Sequence, residues 1–148
     1  MKAFKKILVP VDFSACSNEA MQTAVDLAGR YDATICLLHV HDVGAHALPV
    51  GYQLPNPGQI EHVMASHGEQ LERTRKELEA SGGRNLSTQL LRGVPASEIV
   101  AFAKESAADL IVMGTHGRTG LEHVIVGSVA ERVVRRASCP VLVVRTPA

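Results

Sequence analysis

The sequence of 148 residues contains no tryptophan, and aromatic residues make up only 3% of it. This low aromatic content argues against the stacking platforms on which proteins hold single-stranded nucleic acid. Charge of neither sign is in excess, because 15 Lys and Arg residues balance 15 Asp and Glu residues. A chain without net charge is not expected to bind nucleic acid or an anionic membrane surface through bulk electrostatics. We therefore predict neither partner.

Cysteine is scarce, and long apolar runs are lacking. The three cysteines are odd in number and widely spaced, which is typical of a reducing compartment and not of a disulfide framework. The apolar run near the N-terminus, residues 7–11, contains Pro10 and ends at Asp12, so it is too short for a signal peptide. No run reaches the length of a membrane-spanning helix. We expect a cytoplasmic protein.

The seven histidines do not form a metal-binding pattern. His39 and His41 share one side of a predicted strand, whereas His62 and His67 are five residues apart and do not share a helix face. No group of Cys and His residues has the spacing of a zinc site. We therefore predict no dedicated metal site.

Short apolar runs alternate with helical patterns along the chain. Most of the runs are rich in Ile, Val and Leu and show little alternation, as strands buried on both faces should. They span residues 7–11, 34–40, 86–91, 110–113 and 141–144. The first two helices are predicted over residues 17–30 and 61–80, with a Glu72–Lys76 ion pair on the second, and Pro95 lies in the first turn of the third. The inward faces are predicted to be Ala20, Ala24, Leu27 and Ala28; Val63, His67, Leu71, Thr74 and Leu78; Ile99, Phe102, Ala103 and Ser106; and Ala130, Val133, Val134 and Ala137.

This alternation of strands and helices is typical of a parallel sheet with helices on both faces. Because crossovers between parallel strands are right-handed, the fold class is a doubly wound α/β sandwich. Residues 41–58 are rich in Pro and Gly and are predicted to form a loop. We find no internal repeat or second unit, so residues 1–148 are expected to form a single domain.

Two strand ends carry residues suited to a ligand, and ligands of such folds bind beyond the carboxyl ends of strands. Asp12 follows the first strand, and a glycine-rich segment, residues 113–128, follows the fourth. Gly114 and Gly117 allow backbone amides to converge into an anion-binding nest. Gly127 and Ser128 open the fourth helix, where free amides and the helix dipole favour phosphate.

The glycine segment also has a purely structural interpretation. It matches neither the G-x-G-x-x-G pattern nor the P-loop, since no lysine follows its glycines. Glycines at strand and helix ends are common in turns, and Ser128 with Glu131 is typical of a capping box. The spacing alone fits turn formation and phosphate binding equally well.

The sequence resembles the universal stress protein family over nearly its whole length. The resemblance begins at ILVPVDFS, continues through LLRGVPASEIVAFAKESAADLIVMGTHGRTGLEHVIVGS and ends at SCPVLVV. The family's ATP-binding signature, G-x2-G-x9-G-(S/T), is matched by Gly114, Gly117, Gly127 and Ser128. The resemblance implies the ATP-binding branch of the family. It also implies a three-layer fold of the adenine nucleotide alpha hydrolase type, with a five-stranded parallel sheet in the order 3-2-1-4-5.

The resemblance further implies a role for each matching residue. Asp12 would bond the ribose or the adenine edge, and three apolar residues would contact the adenine. The phosphates would be held by the signature residues and the amide of Val129, and Mg²⁺ would arrive with ATP, bound largely by phosphates and waters. Arg118 and His116 either touch phosphate or face solvent. The apolar contacts are Pro10, Val40 and Met113, and the phosphate contacts are Gly114, Gly117, Gly127, Ser128 and Val129.

Three functions remain open at this stage. The first is an ATP-binding regulatory protein of the stress response; the second is an enzyme, either a slow ATP hydrolase or a nucleotidyl-transferring catalyst. Hydrolysis requires a group that positions water near the γ-phosphate, usually a carboxylate or a glutamine. Only His116 and Arg118 are candidates there, so we predict little or no ATPase activity. The third is a nucleotide-independent scaffold that acts as a dimer.

The last apolar run predicts how the chain assembles. Residues 141–144 contain no charge, and the final strand of a doubly wound sheet should lie at an edge. An exposed edge of this kind pairs readily with another strand. We predict a homodimer in which this strand pairs with its own copy about a two-fold axis. Coverage of the edge by a helix or by the C-terminal tail is the alternative.

Overall fold

The computed structural model describes residues 3–44, 51, 53–115 and 126–146. Within these residues, five strands alternate with four helices, as the sequence pattern predicts. The strands are β1 (Lys6–Pro10), β2 (Thr34–Asp42), β3 (Leu86–Gly93), β4 (Leu110–Gly114) and β5 (Val141–Val144). The helices are α1 (Ala15–Tyr31), α2 (Pro57–Ala80), α3 (Pro95–Glu105) and α4 (Ser128–Arg136).

The strands form one parallel sheet in the order β3-β2-β1-β4-β5. This confirms the doubly wound fold class and the strand order. From β1 the chain adds β2 and β3 on one side of the sheet and β4 and β5 on the other. The order therefore reverses between β1 and β4, whose carboxyl ends are neighbours at the topological switch point.

The core consists of two clusters, one on each face of the sheet. Val9 and Leu37 belong to the cluster that packs under α1 and α2. Leu8 and Leu38 belong to the cluster that packs under α3 and α4. Because successive side chains of a strand point to opposite faces, each central strand contributes to both clusters.

The loop predicted over residues 41–58 is shorter than expected at both ends. The strand β2 continues to Asp42 because it pairs with β3 as far as Gly93. The helix α2 begins at Pro57, where the Asn56 side chain accepts a hydrogen bond from the Gln59 amide and the Gln59 side chain bonds the Asn56 amide. This reciprocal cap starts the helix four residues before the predicted boundary.

Two residues expected on inward helix faces are exposed instead. Val63 is 36% exposed, and Val134 is 50% exposed. The 24 residues of α2 span about 36 Å, whereas the eight residues of its neighbour β3 span about 26 Å, so the helix is longer than the strand it covers. The helix α4 buries only a narrow stripe that contains Ala130 and Val133. None of the helices in the described ranges is long and apolar enough to cross a membrane.

The contact ion pair of Glu72 is with Arg75, and Lys76, the predicted partner, acts on Glu72 as a nearby positive charge. Arg75 forms ion pairs with both Glu72 and Glu79, because its planar guanidinium reaches one turn in each direction. The hydrogen bond from Arg75 lowers the pKa of Glu72 below its ordinary value. Both glutamate side chains are 43% exposed to solvent, so the pairs contribute little to stability.

Candidate functional site

Asp12 lies in a tight turn between β1 and α1. The Ser14 amide donates a hydrogen bond of 3.0 Å to the Asp12 carboxylate. Between them, Phe13 adopts a left-handed backbone conformation with φ of 65°. Ser14 is the N-cap of α1, and its side chain accepts from the Ser17 amide. The turn therefore holds a half-buried carboxylate at the carboxyl end of β1.

The three predicted apolar contacts share one face of the sheet. Pro10, Val40 and Met113 lie on the side of α3 and α4, because Leu8 and Ile111, two residues earlier on β1 and β4, belong to the cluster under these helices. Met113 is itself buried in that cluster, and Val40 packs against it. The structure thus brings these residues together on the face that leads to the N-terminus of α4.

Gly114 has a packing role that the sequence analysis missed. A Cβ atom at this position would lie 2.8 Å from the Sγ atom of Cys16 and 2.9 Å from its carbonyl carbon. Glycine therefore allows the first turn of α1 to pack directly on the end of β4. The small residues Ala15 and Cys16 at the start of α1 are the sequence sign of this close approach.

The two ends of the glycine segment are joined by a hydrogen bond. The Gly127 amide donates to the Thr115 carbonyl oxygen at 2.6 Å, and the Thr115 amide donates to the Val144 carbonyl oxygen at 3.0 Å. The chain thus leaves β4 and returns to the same point before α4 begins. Residues 116–125, which include His116, Gly117 and Arg118, lie outside the described residues.

The start of α4 differs from the predicted capping box. The N-cap is Gly127, which has no side chain with which to cap the helix, and Ser128 is already the first helical residue. Glu131 therefore lies one position too late for the reciprocal bond, and its amide bonds the Gly127 carbonyl. The amides of Ser128 and Val129 lie in the first turn, where intrahelical acceptors are lacking and the helix dipole is positive.

The three cysteines are free thiols. Cys16 is buried beside the site, and its Sγ atom lies 3.5 Å from the Thr115 hydroxyl. Burial raises the pKa of the Cys36 thiol on β2, so this thiol stays protonated at neutral pH. As for metals, the part of the chain that the structure describes contains no group of three or more His, Cys, Asp or Glu side chains able to hold an ion.

The candidate site combines three chemical features at the carboxyl ends of the strands. Asp12 provides an acceptor for hydroxyl and amine hydrogens above β1. An apolar wall, Pro10 with Val40 and Met113, lies beside it, and the N-terminus of α4 offers amides suited to an anion. The fold and this arrangement define a class, a doubly wound α/β protein with its candidate site at the topological switch point.

Residues 3–145 match the model of the universal stress protein family. The chain belongs to this family. Universal stress protein MJ0531 of Methanocaldococcus jannaschii is 44% identical over 97% of this chain and 84% of its own length.

Solved structures of the family have the same fold. Universal stress protein UspA from Lactobacillus plantarum is 34% identical, with a TM-score of 0.82 over 98% of this chain and 100% of its own. A universal stress protein solved in complex with cAMP is 25% identical, with a TM-score of 0.73 over 99% of this chain and 100% of its own.

Proposed function

We propose that this protein binds an adenine nucleotide, ATP in the first instance, and acts as a regulatory module of the stress response. The observation that carries the proposal is the hydrogen bond from Gly127 to Thr115. It brings the N-terminus of α4 to the end of β4, beside the strand end that carries Asp12. The spacing of the family's ATP-binding signature and the related protein in complex with cAMP support the same ligand class.

The nucleoside is proposed to lie over β1, with the ribose or the adenine amine at Asp12. Its base contacts the apolar wall of Pro10, Val40 and Met113. The phosphates extend toward α4, where their donors are the amides of Ser128 and Val129, because the Gly127 amide already bonds Thr115. The backbone of Gly114 and Gly117 would complete the phosphate site, with any Mg²⁺ held mainly by phosphate oxygens and water.

Titration calorimetry of the purified protein with ATP, ADP, AMP and cAMP tests this function, with GTP as the control for the base. We expect saturable binding of one ATP per chain and weaker binding of GTP. The absence of saturable heat with every adenine nucleotide at millimolar concentration would overturn the proposal and favour the scaffold.

We predict that the protein turns over ATP well below about 1 per second, which is the lower end of the range for ordinary enzymes. The described residues at the phosphate end, Thr115 and 127–129, include no carboxylate that could activate water, and Asp12 lies at the nucleoside end. Release of inorganic phosphate under saturating ATP and Mg²⁺ measures this rate. Turnover at or above that figure would make the protein an ATP hydrolase.

We further propose that two copies of the chain pair through β5, which is the edge strand next to β4. The carbonyl oxygens of Pro140 and Val144 accept from the Ile111 and Thr115 amides of the β4 side. Since a residue's N–H and C=O point to the same side of a strand, the backbone groups of Val143 point outward. An outward row of this kind is suited to antiparallel pairing with its own copy.

Val143→Pro should convert the dimer to a monomer, because it removes an outward N–H without breaking a bond to β4. Val143→Thr keeps the N–H and the β-branched shape, so this control should remain a dimer. Light scattering at micromolar concentration measures both. A monomeric parent, or a dimer that tolerates proline, would contradict pairing through β5.

A further inference from the structure

His39 on β2 contacts both chain neighbours of Asp12. Its Nδ1 atom lies 2.6 Å from the Val11 carbonyl oxygen, directly before Asp12. Its ring centroid lies 4.8 Å from that of Phe13, directly after Asp12. The side chain is 7% exposed, so both contacts are made away from solvent.

The contact with Val11 determines which ring nitrogen of His39 carries a hydrogen. A carbonyl oxygen only accepts hydrogen bonds, so the Nδ1 atom of His39 must carry the hydrogen. The Val11 amide in turn donates to the Leu38 carbonyl oxygen at 2.8 Å. Both polar groups of Val11 are therefore bonded to β2, which sets the direction of the chain as it enters Asp12.

The contact with Phe13 holds the chain as it leaves Asp12. A left-handed conformation is uncommon for a bulky residue and persists only where its surroundings favour it. The Phe13 ring packs against His39 on one side, and its centroid lies 6.3 Å from that of His67 on α2. With the ring held there, the Ser14 amide reaches the Asp12 carboxylate.

We propose that His39 is a positioning residue for nucleotide binding, which acts by holding the Asp12 carboxylate in its ligand-binding orientation. This inference rests on the proposed function and adds a residue on β2 that does not itself touch the ligand. It requires two properties of one side chain, a ring face toward Phe13 and a donor toward Val11. Histidine has both, whereas phenylalanine has the ring alone and asparagine has the donor alone.

The first test compares ATP affinity in His39→Phe and His39→Asn with that of the parent. His39→Phe should weaken binding about fivefold, the loss expected for one hydrogen bond, and His39→Asn should recover part of that loss. His39→Phe is then combined with Asp12→Ala. Because His39 acts through Asp12, the Phe change should have less than about a twofold effect there.

Each outcome separates the two proposals. A parent that does not bind ATP overturns the proposed function, and the positioning role in nucleotide binding falls with it. A parent that binds ATP, with His39→Phe at parental affinity, overturns the positioning role alone. Equal losses in the parent and in Asp12→Ala would show that His39 supports only the fold.

Two further measurements need no ligand. Long-range ¹H–¹⁵N spectra of the parent should show His39 with its hydrogen on Nδ1. A ring with its hydrogen on Nε2 alone would remove the bond to Val11 and with it the proposal. In His39→Phe, if it folds, the Ser14 amide should exchange with solvent faster than in the parent; equal exchange would count against the role.

Discussion

Replacing Gly114 with alanine should lower the free energy of unfolding by about 1–3 kcal/mol, the range for forcing an extra methyl group into a packed core. The added Cβ atom would meet Cys16 at 2.8 Å from Sγ and at 2.9 Å from the carbonyl carbon. A side chain can rotate away, but the carbonyl carbon belongs to the backbone of α1, so the helix itself must shift. For a chain of this size, each kcal/mol lowers the Tm by about 2–4 °C.

Gly29→Ala is the matched control, because Gly29 lies in α1, the helix that Gly114 contacts, but faces open space. A Cβ atom there meets no heavy atom within 4 Å. Alanine is favoured over glycine inside a helix by about 0.5–1 kcal/mol, so this variant should be as stable as the parent or more so. Denaturant unfolding compares the three proteins. A Gly114→Ala protein as stable as the parent would show that α1 does not pack closely on β4.

Replacing Asp12 with alanine should weaken ATP binding about 10- to 100-fold. The proposed bonds from ribose or adenine to this carboxylate involve a charged acceptor, and such bonds contribute about 1.5–3 kcal/mol each. The fold should survive, because Asp12 is half-buried and outside both core clusters. Calorimetric titration gives the affinity, and the thermal unfolding curve checks the fold.

Asp42→Ala provides the comparison for Asp12→Ala. Asp42 also ends a strand at this edge, and its carboxylate accepts a bond of 2.9 Å from the amide two residues on, that of Gly44. Asp42 is paired with Gly93 of β3, on the side of β2 that faces away from β1 and β4. Its replacement should leave ATP affinity within about twofold. Equal losses in both variants, or none in Asp12→Ala, would remove Asp12 from the site.

The sheet could be predicted from the residues because buried parallel strands have no polar face. The runs that contain Leu8 and Ile111 are apolar throughout, and both of their faces are covered. The strand order came only with the family resemblance, since nothing in the runs themselves states which strand lies beside which. Helix ends and inward faces were harder to predict, because α2 extends beyond the strand that it covers and leaves Val63 exposed.

The candidate site was predictable only where its residues act locally. Asp12 and Ser128 could be found because strand ends and helix starts are visible in the sequence. The close approach of Gly114 to Cys16 joins residues far apart in the chain, so the local spacing indicated a turn or an anion-binding nest and not this packing contact. The bond from His39 to Val11 depends on the parallel register that places Leu38 beside Pro10. Contacts of this kind require the packed fold.

A crystal structure of the protein grown with saturating ATP and Mg²⁺ would show directly where the nucleotide binds. We expect one nucleotide over the carboxyl ends of β1 and β4, with its ribose or adenine amine at Asp12. Its phosphates should lie within hydrogen-bond distance of the Ser128 and Val129 amides. A nucleotide bound elsewhere on the chain, or an empty switch point in the presence of saturating ATP, would contradict this expectation.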